Sequence, residues 1–498
     1  MLDFNMLQGL SSGSVSLNPD ETKMVVRMLE DNLRKSQAAS TMGYQTGAVV
    51  VGSDNGGLSP LLPQSIDPTL ASLTMDQNEL VFWKSLPKGT ASQTLHEYSR
   101  RTSHGSLVQD HNVPEGGAGY NSTSTYDRKN VRIKFWSVRR EITDVAAGLT
   151  GLAPASNLLT EHTNEASFDL LRSIEMDCLF GDSDLLSTKP DGVIKQIIAQ
   201  HSTDTPTVED LAGEQVTMDR LSYQLRKLAQ PNKLRGAISP TVLMTTHAVW
   251  NDLERQEQAG GRYDKTKDRE FVFGAEALFV RGPKGRVPII AVPFLDDQAL
   301  LGLPYANALN PDVLTGGGAG PATPTAGGGG AGISAAGSSG KFTVADSGAY
   351  YYKIVAHSNA GYSQALTLGP ITPTAGQTVS IKLDIPASFV PSYYRIYRSP
   401  KGGVAADCTY LFSAKYVEAG GLVVITDDNS TRPNTGRVLF MTMDEQHLQF
   451  YKLLPMARIP LAKISLTTPF AIFMSGAPAV KLPEKFYIMK NVGFGAAL

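Results

Sequence analysis

Apolar residues recur at helical spacing in one long stretch of the chain. From Asn157 to Phe180 they fall at Leu159, Ala166, Leu170, Ile174 and Cys178, with Leu171 and Leu179 widening the stripe. The pattern predicts a helix over 157–180, capped by Ser156 or Asn157 and stopped by Gly181. At 1.5 Å per residue it spans roughly 35 Å, long for a globular domain. Just upstream the period changes to two. Val131, Ile133 and Phe135 alternate with Arg132, Lys134 and Trp136, predicting a strand over Val131–Ile142 with one apolar and one mostly basic face. Paired with a strand at Thr94–Thr102, it forms a hairpin whose polar, glycine-rich tip is too long for an ordinary turn.

The rest of the chain alternates. Asn18-Pro19-Asp20-Glu21 is a helix start, followed by a stripe at Val25, Met28, Leu29 and Leu33. Residues 37–65 are glycine-rich and polar and read as extended, and Glu79–Ser85 reads as a buried helix or turn. After Gly181 come a turn entering a strand at Pro190–Ile198, helices at Thr217–Ala229 and His247–Gln256, and strands at Ala237–Thr245, Phe271–Val280 and Val287–Val292: an α+β core. Residues 315–340 are almost entirely Gly, Ala, Pro, Ser and Thr, a flexible linker by composition. Beyond them, short strands at Tyr350–Ala356, Val379–Ile385, Tyr393–Ser399, Tyr410–Val417 and Leu422–Thr426 read as a β-sandwich, and mixed strands return in 436–498. The β module is therefore read as inserted into the core. Its tyrosines, among them Tyr350, Tyr352, Tyr394 and Tyr397, fit either a core or a binding face.

Composition narrows the classes. The 498 residues carry 45 basic against 47 acidic side chains, so the whole molecule has no electrostatic footprint for nucleic acid. Two distant cysteines, Cys178 and Cys408, suggest buried free thiols. No apolar run is long enough to span a membrane, and no signal peptide is visible. These features lead us to expect a protein made in a cytoplasm.

Motifs for catalysis fail on inspection. Gly9-Leu-Ser-Ser-Gly13 has the spacing of a nucleophile elbow but no strand before it. Gly337-Ser-Ser-Gly-Lys341 lacks the first glycine of a P-loop, at Ala335, and has Phe342 where a hydroxyl would bind magnesium. His96-Glu97 has Arg100 where a zincin has its second histidine. We therefore expect no enzyme, no cofactor and no metal site. One charge cluster stands out: Arg128, Lys129, Arg132, Lys134, Arg139 and Arg140. It reads as a solvated face, a contact to an acidic surface on a neighbouring subunit, or a DNA contact, and the neutral overall charge argues against the last.

Asn112-Val-Pro-Glu-Gly-Gly117, Tyr126-Asp-Arg-Lys-Asn-Val-Arg-Ile-Lys-Phe135, the long helix into Leu179-Phe-Gly-Asp182, and Asp191-Gly-Val-Ile194 together resemble the major capsid proteins of tailed bacteriophages, whose shell fold is the Hong Kong 97 type. The resemblance covers about Ile66–Leu295 and the last 60 residues. It implies an N-terminal arm (1–65), a capsid core (66–305) holding an extended loop (94–142) and a spine helix (157–180), peripheral and axial domains, and a return to the core at 433–498. Between these lie the Gly-rich linker (306–340) and an insert (341–432) that resembles immunoglobulin-like or fibronectin type III modules through Asp346–Val355, Asn359–Tyr362 and Tyr393–Arg398. The resemblance implies self-assembly into hexamers and pentamers of an icosahedral head, with portal, scaffold and decoration proteins as partners. DNA would be enclosed without sequence-specific binding, no membrane would be involved, and the mature location would be the virion. From the start at Met1 we expect a retained arm and a separate scaffold. The candidates for inter-subunit contact are Glu115, Arg128, Lys129, Arg132, Lys134, Arg139 and Arg140. Two other readings stay open: an encapsulin-type compartment, and a carbohydrate-binding or adhesion protein built on the sandwich.

Overall fold

A computed structural model describes residues 79–144, 158–296 and 321–493, apart from 104, 106–111, 120–122, 204–205, 231–235, 262–277, 284, 329–331, 359–360, 387–389 and 464. The expected arm 1–65, its helix at 18–36, the caps at Ser156 and Asn157, the linker residues 306–320 and most of the strand at Phe271–Val280 lie outside the described residues.

The long amphipathic stretch is a helix, Leu158–Phe180. Ala166, Leu170, Ile174, Cys178 and Leu179 are fully buried along its length. It ends at Gly181, where a Cβ would collide with the carbonyls of Asp177 and Pro190, so glycine is required by close approach rather than by a turn. Pro190–Ile198 departs from the sequence reading. Val193–Ala199 is a helix, not a strand. Its β-branched residues favour strand locally, but Val193, Ile194 and Ile197 share one helical face and are buried in the core of the spine helix. Tertiary packing overrides local propensity here.

Two sheets complete the core. A four-stranded sheet orders Lys88–Thr90, Leu448–Pro460, Thr467–Val480 and Lys134–Thr143. A six-stranded sheet orders Val208–Asp210, Tyr487–Val492, Gly436–Met441, Val242–Thr245, Gly285–Ala291 and Phe279–Gly282. Residues from the spine helix and from both sheets, among them Phe450, Phe470, Ile472, Met441 and Ile488, share one hydrophobic cluster. A second cluster joins the six-stranded sheet to helices Met218–Ala229 and His247–Gly261. Thr217 caps the first of these helices, its hydroxyl accepting from the amide of Arg220 at 3.2 Å. Gly436–Met441 pairs directly with Val242–Thr245, so chain segments on either side of the β module share one sheet.

The predicted strand Val131–Ile142 is two strands. Thr125–Arg132 pairs with Leu95–Ser103, and Lys134–Thr143 pairs with Thr467–Val480 in the core. Ile133 separates them, 2% exposed. The inward face changes parity at this point. Ile133 points into a small cluster with Ala91 and Tyr451, but beyond it Trp136, Val138 and Ile142 face the spine helix and Phe135 is 56% exposed. A one-residue irregularity turns every later side chain to the opposite face.

The β module is a sandwich of a five-stranded and a four-stranded sheet. Tyr350, Tyr352, Ile354, Ile381, Leu383, Tyr394 and Ile396 fill the space between them, so these tyrosines belong to the core. The glycine-rich segment is no free tether where it is described. Ile333–Ala336 pairs with Thr378–Asp384, and Ala326 bridges to Leu383. At the root of the sandwich Arg432 forms a two-pronged ion pair with Asp346, at 2.7 and 2.8 Å, and Arg398 reaches Asp427 at 2.6 Å in full burial. Cys178 and Cys408 are both free and buried.

Candidate inter-subunit surface

The pair Leu95–Ser103 and Thr125–Arg132 forms a two-stranded ribbon with register from Leu95↔Arg132 to Ser103↔Thr125. Its faces are poorly covered: Tyr126 is 70% exposed and Leu95 44%. A lone two-stranded ribbon is marginal in water, so what holds this one matters. Toward its far end Arg100, nearly buried, bridges Asp127 of the opposite strand at 3.2 Å and Glu484 of the core at 3.0 Å. Tyr98 donates to the carbonyl of Val480 at 3.3 Å. The His96 ring lies 3.9 Å from that of Tyr451, where burial and then Lys481 lower its pKa. Sequence reading missed the ties of Tyr98 and Arg100 to the core, because Val480 and Glu484 lie more than 380 residues away and no local signal joins them.

The candidate residues divide by where they point. Arg140 turns inward, donating to Glu165 at 2.6 Å and to Asp169, and so ties the core strand to the spine helix. Lys134 donates to the carbonyl of Ser187. Arg128 pairs with Glu97 at 3.4 Å, Lys129 with Asp127 at 3.5 Å and Arg139 with Glu141 at 3.4 Å, all on exposed surface where such pairs contribute little. Arg132 is exposed and makes no ion pair among the described residues. Glu115 stands exposed at the tip, in a turn closed by the Gly117 amide donating to Pro114 at 2.8 Å, with Gly116 at φ +79°.

Three of these cations, Lys129, Arg132 and Lys134, share the wall of one cleft of about 440 Å³ with Tyr98, Asp191 and Pro478. The cleft's carboxylate is already engaged. Burial raises the pKa of Asp191, but bonds from Lys195 and Ser183 outweigh it and hold the group below the usual carboxylate range. Burial likewise opposes the charge on Lys195, and Asp182, Asp184 and Asp191 together raise its pKa despite that. The cleft therefore presents net positive charge to solvent. Among the described residues no group of acidic, histidine or cysteine side chains is placed to hold a metal ion. No described helix is long and apolar enough to cross a membrane.

Two phage proteins are similar to this chain over most of its length. The major capsid protein of Staphylococcus phage K is 23% identical over 465 residues, covering 91% of this chain and 94% of its own. The provisional major capsid protein of Enterococcus phage phiEF24C is 24% identical over 486 residues, covering 93% and 97%. No family model matches the chain. Similar solved structures include the capsid of a native GTA particle (TM-score 0.42, 8% identity, 90% of this chain and 100% of that one) and the SrpI encapsulin of Synechococcus elongatus PCC 7942 (TM-score 0.40, 8% identity, 88% and 96%). Over nearly its whole length the chain is similar to proteins of phage shells. More narrowly, the relatives that span nearly all of it are major capsid proteins.

Proposed function

We propose that this chain builds the icosahedral head of a tailed phage, assembling into hexamers and pentamers around the DNA genome. The observation that carries the reading is the ribbon at 95–132: a two-stranded element with one face largely exposed, held to the core through the other by Tyr98 and Arg100. Such an element gains cover when it lies over an adjacent copy. Residues 1–65 would clasp another copy, and the spine helix would act as the strut behind both. Exposed basic residues beside exposed acidic ones, rather than a continuous basic stripe, favour contact with protein over contact with DNA. Portal, scaffold and decoration proteins would join the shell at sites these residues do not define, and the sandwich would face outward. Negative-stain imaging of the purified protein tests the proposal. Uniform polyhedral particles or hexameric capsomers support it; a monomer that never assembles across protein concentration and salt overturns it.

A further inference from the structure

The ribbon carries opposite charge at its two ends. Glu115 stands at the tip, exposed and without an ion pair among the described residues. Lys129, Arg132 and Lys134 line the cleft at the root. The register from Leu95↔Arg132 to Ser103↔Thr125 places root and far end eight strand positions apart, about 26 Å at 3.3 Å per residue. In sequence Glu115 lies beyond the far end of that ladder.

We propose that the cleft at the root of one copy's ribbon receives Glu115 from the ribbon tip of an adjacent copy. The cleft offers an entering carboxylate three cations, of which Arg132 has no ion pair among the described residues. Asp191 is the one carboxylate on the cleft wall against those three cations, and it is already bonded to Lys195 at 2.8 Å, which it shares with Asp182 and Asp184. The turn at Pro114–Gly117 holds the acid on a short, closed loop, which limits the entropy lost on docking. A tip-to-root contact uses different surfaces on the two partners. Such heterologous contacts close into rings when the rotation between copies allows it, as around a five-fold or six-fold axis. The proposal deepens the shell reading and rests on it.

Assembly of wild-type, Glu115→Lys, Arg132→Glu and the double variant, followed by light scattering and imaging, tests the pairing. Both positions are exposed, and circular dichroism before assembly confirms that each variant is folded. Like charges placed face to face are strongly unfavourable, so each single variant raises the protein concentration needed for particles by about tenfold or more, and the double variant restores it to within about threefold of wild type. In shells mixed from light and heavy isotope-labelled protein, a carbodiimide links Glu115 to Lys129 or Lys134 between copies. The pairing is overturned if both single variants assemble as wild type does, or if the double variant fails as badly as the singles. It is also overturned if Arg132→Glu alone is defective and the defect lies in retained DNA, which assigns the cleft to phosphate. Wild-type protein that forms no particles is a different failure, that of the shell reading itself.

Discussion

The carboxylate of Glu175 accepts the backbone amide of Phe82 at 3.1 Å, and that of Trp83 at 3.3 Å, from inside the core. It joins the middle of the spine helix to the short helix Val81–Ser85, which leads into the ribbon. Burial pushes its pKa up to about 7, against the pull of the two amides and of Lys84.

A pH dependence follows. The unfolded carboxyl titrates near 4.3, so between about pH 4.5 and 7 the folded chain holds a proton that the unfolded chain has released. Stability is therefore greatest toward the acid side of that window and declines as pH rises to 7, by at most about 4 kcal/mol. Thermal unfolding of the unassembled subunit from pH 5 to 8 should show the midpoint falling toward pH 8. In Glu175→Gln this slope should flatten. A wild-type midpoint that climbs from pH 6 to pH 8 counts against the assignment.

Arg100 holds the ribbon to the core through Glu484 and to its own second strand through Asp127. Arg100→Ala leaves Glu484 without this partner, a cost of about 2 kcal/mol for a partly buried pair. The effect should be local. Amide hydrogen exchange should speed up at Leu95–Ser103 and Thr125–Arg132, while the six-stranded sheet keeps its protection. Equal loss of protection in both regions would mean that Arg100 supports the whole fold rather than the ribbon.

The sandwich root gives a prediction about boundaries. An excision of residues 341–432, the insert as read from sequence, leaves Ile333–Ala336 and Ala326 without their partners on Thr378–Asp384. An unpaired strand edge invites aggregation. An excision of 321–431 closed by a short flexible linker removes the whole unit and should leave a soluble core that still forms particles. Measured by sedimentation, the shorter excision should pellet and the longer should not. Arg432→Ala, which breaks the link to Asp346, should hasten protease cleavage near 431–435 and leave the sandwich itself folded.

What the sequence revealed depended on how local the cause was. The stripe from Ala166 to Cys178 was legible because a helix buries one face whatever its partner, and all four of its residues are at most 1% exposed. Thr217 was legible as the start of its helix for the same reason. The division of Val131–Ile142 was not legible, since Phe135 continues the apolar alternation that the chain abandons at Ile133. Val193–Ile198 misled because a β-branched run and a short buried helix look alike without knowledge of the neighbouring core. Composition marked 315–340 as linker, yet a few of its small residues fit a sheet edge well enough to pair. Sequence put the basic residues on one hairpin, whereas Arg128, Lys129 and Arg132 lie on the ribbon and Lys134, Arg139 and Arg140 on the core strand. It could not separate Arg140, committed to the spine helix, from Arg132, which faces solvent. That distinction lies in carboxylates 25 and 29 residues away.

Ile133 has one further consequence. The ribbon's ladder ends at Arg132 and the core sheet's ladder begins at Lys134, so no inter-strand ladder runs continuously from one to the other along this strand. Any change of pitch between ribbon and core is confined to this residue and to the opposite passage at 91–94, where Ala91 and Thr94 each make one backbone bond across the junction. Turning one ladder against the other at that seam would have to stretch the ties from Tyr98 to Val480 and from Arg100 to Glu484. A subunit built this way sets the angle of its ribbon with two side chains rather than with a continuous sheet, which leaves that angle open to change by substitution at those two positions.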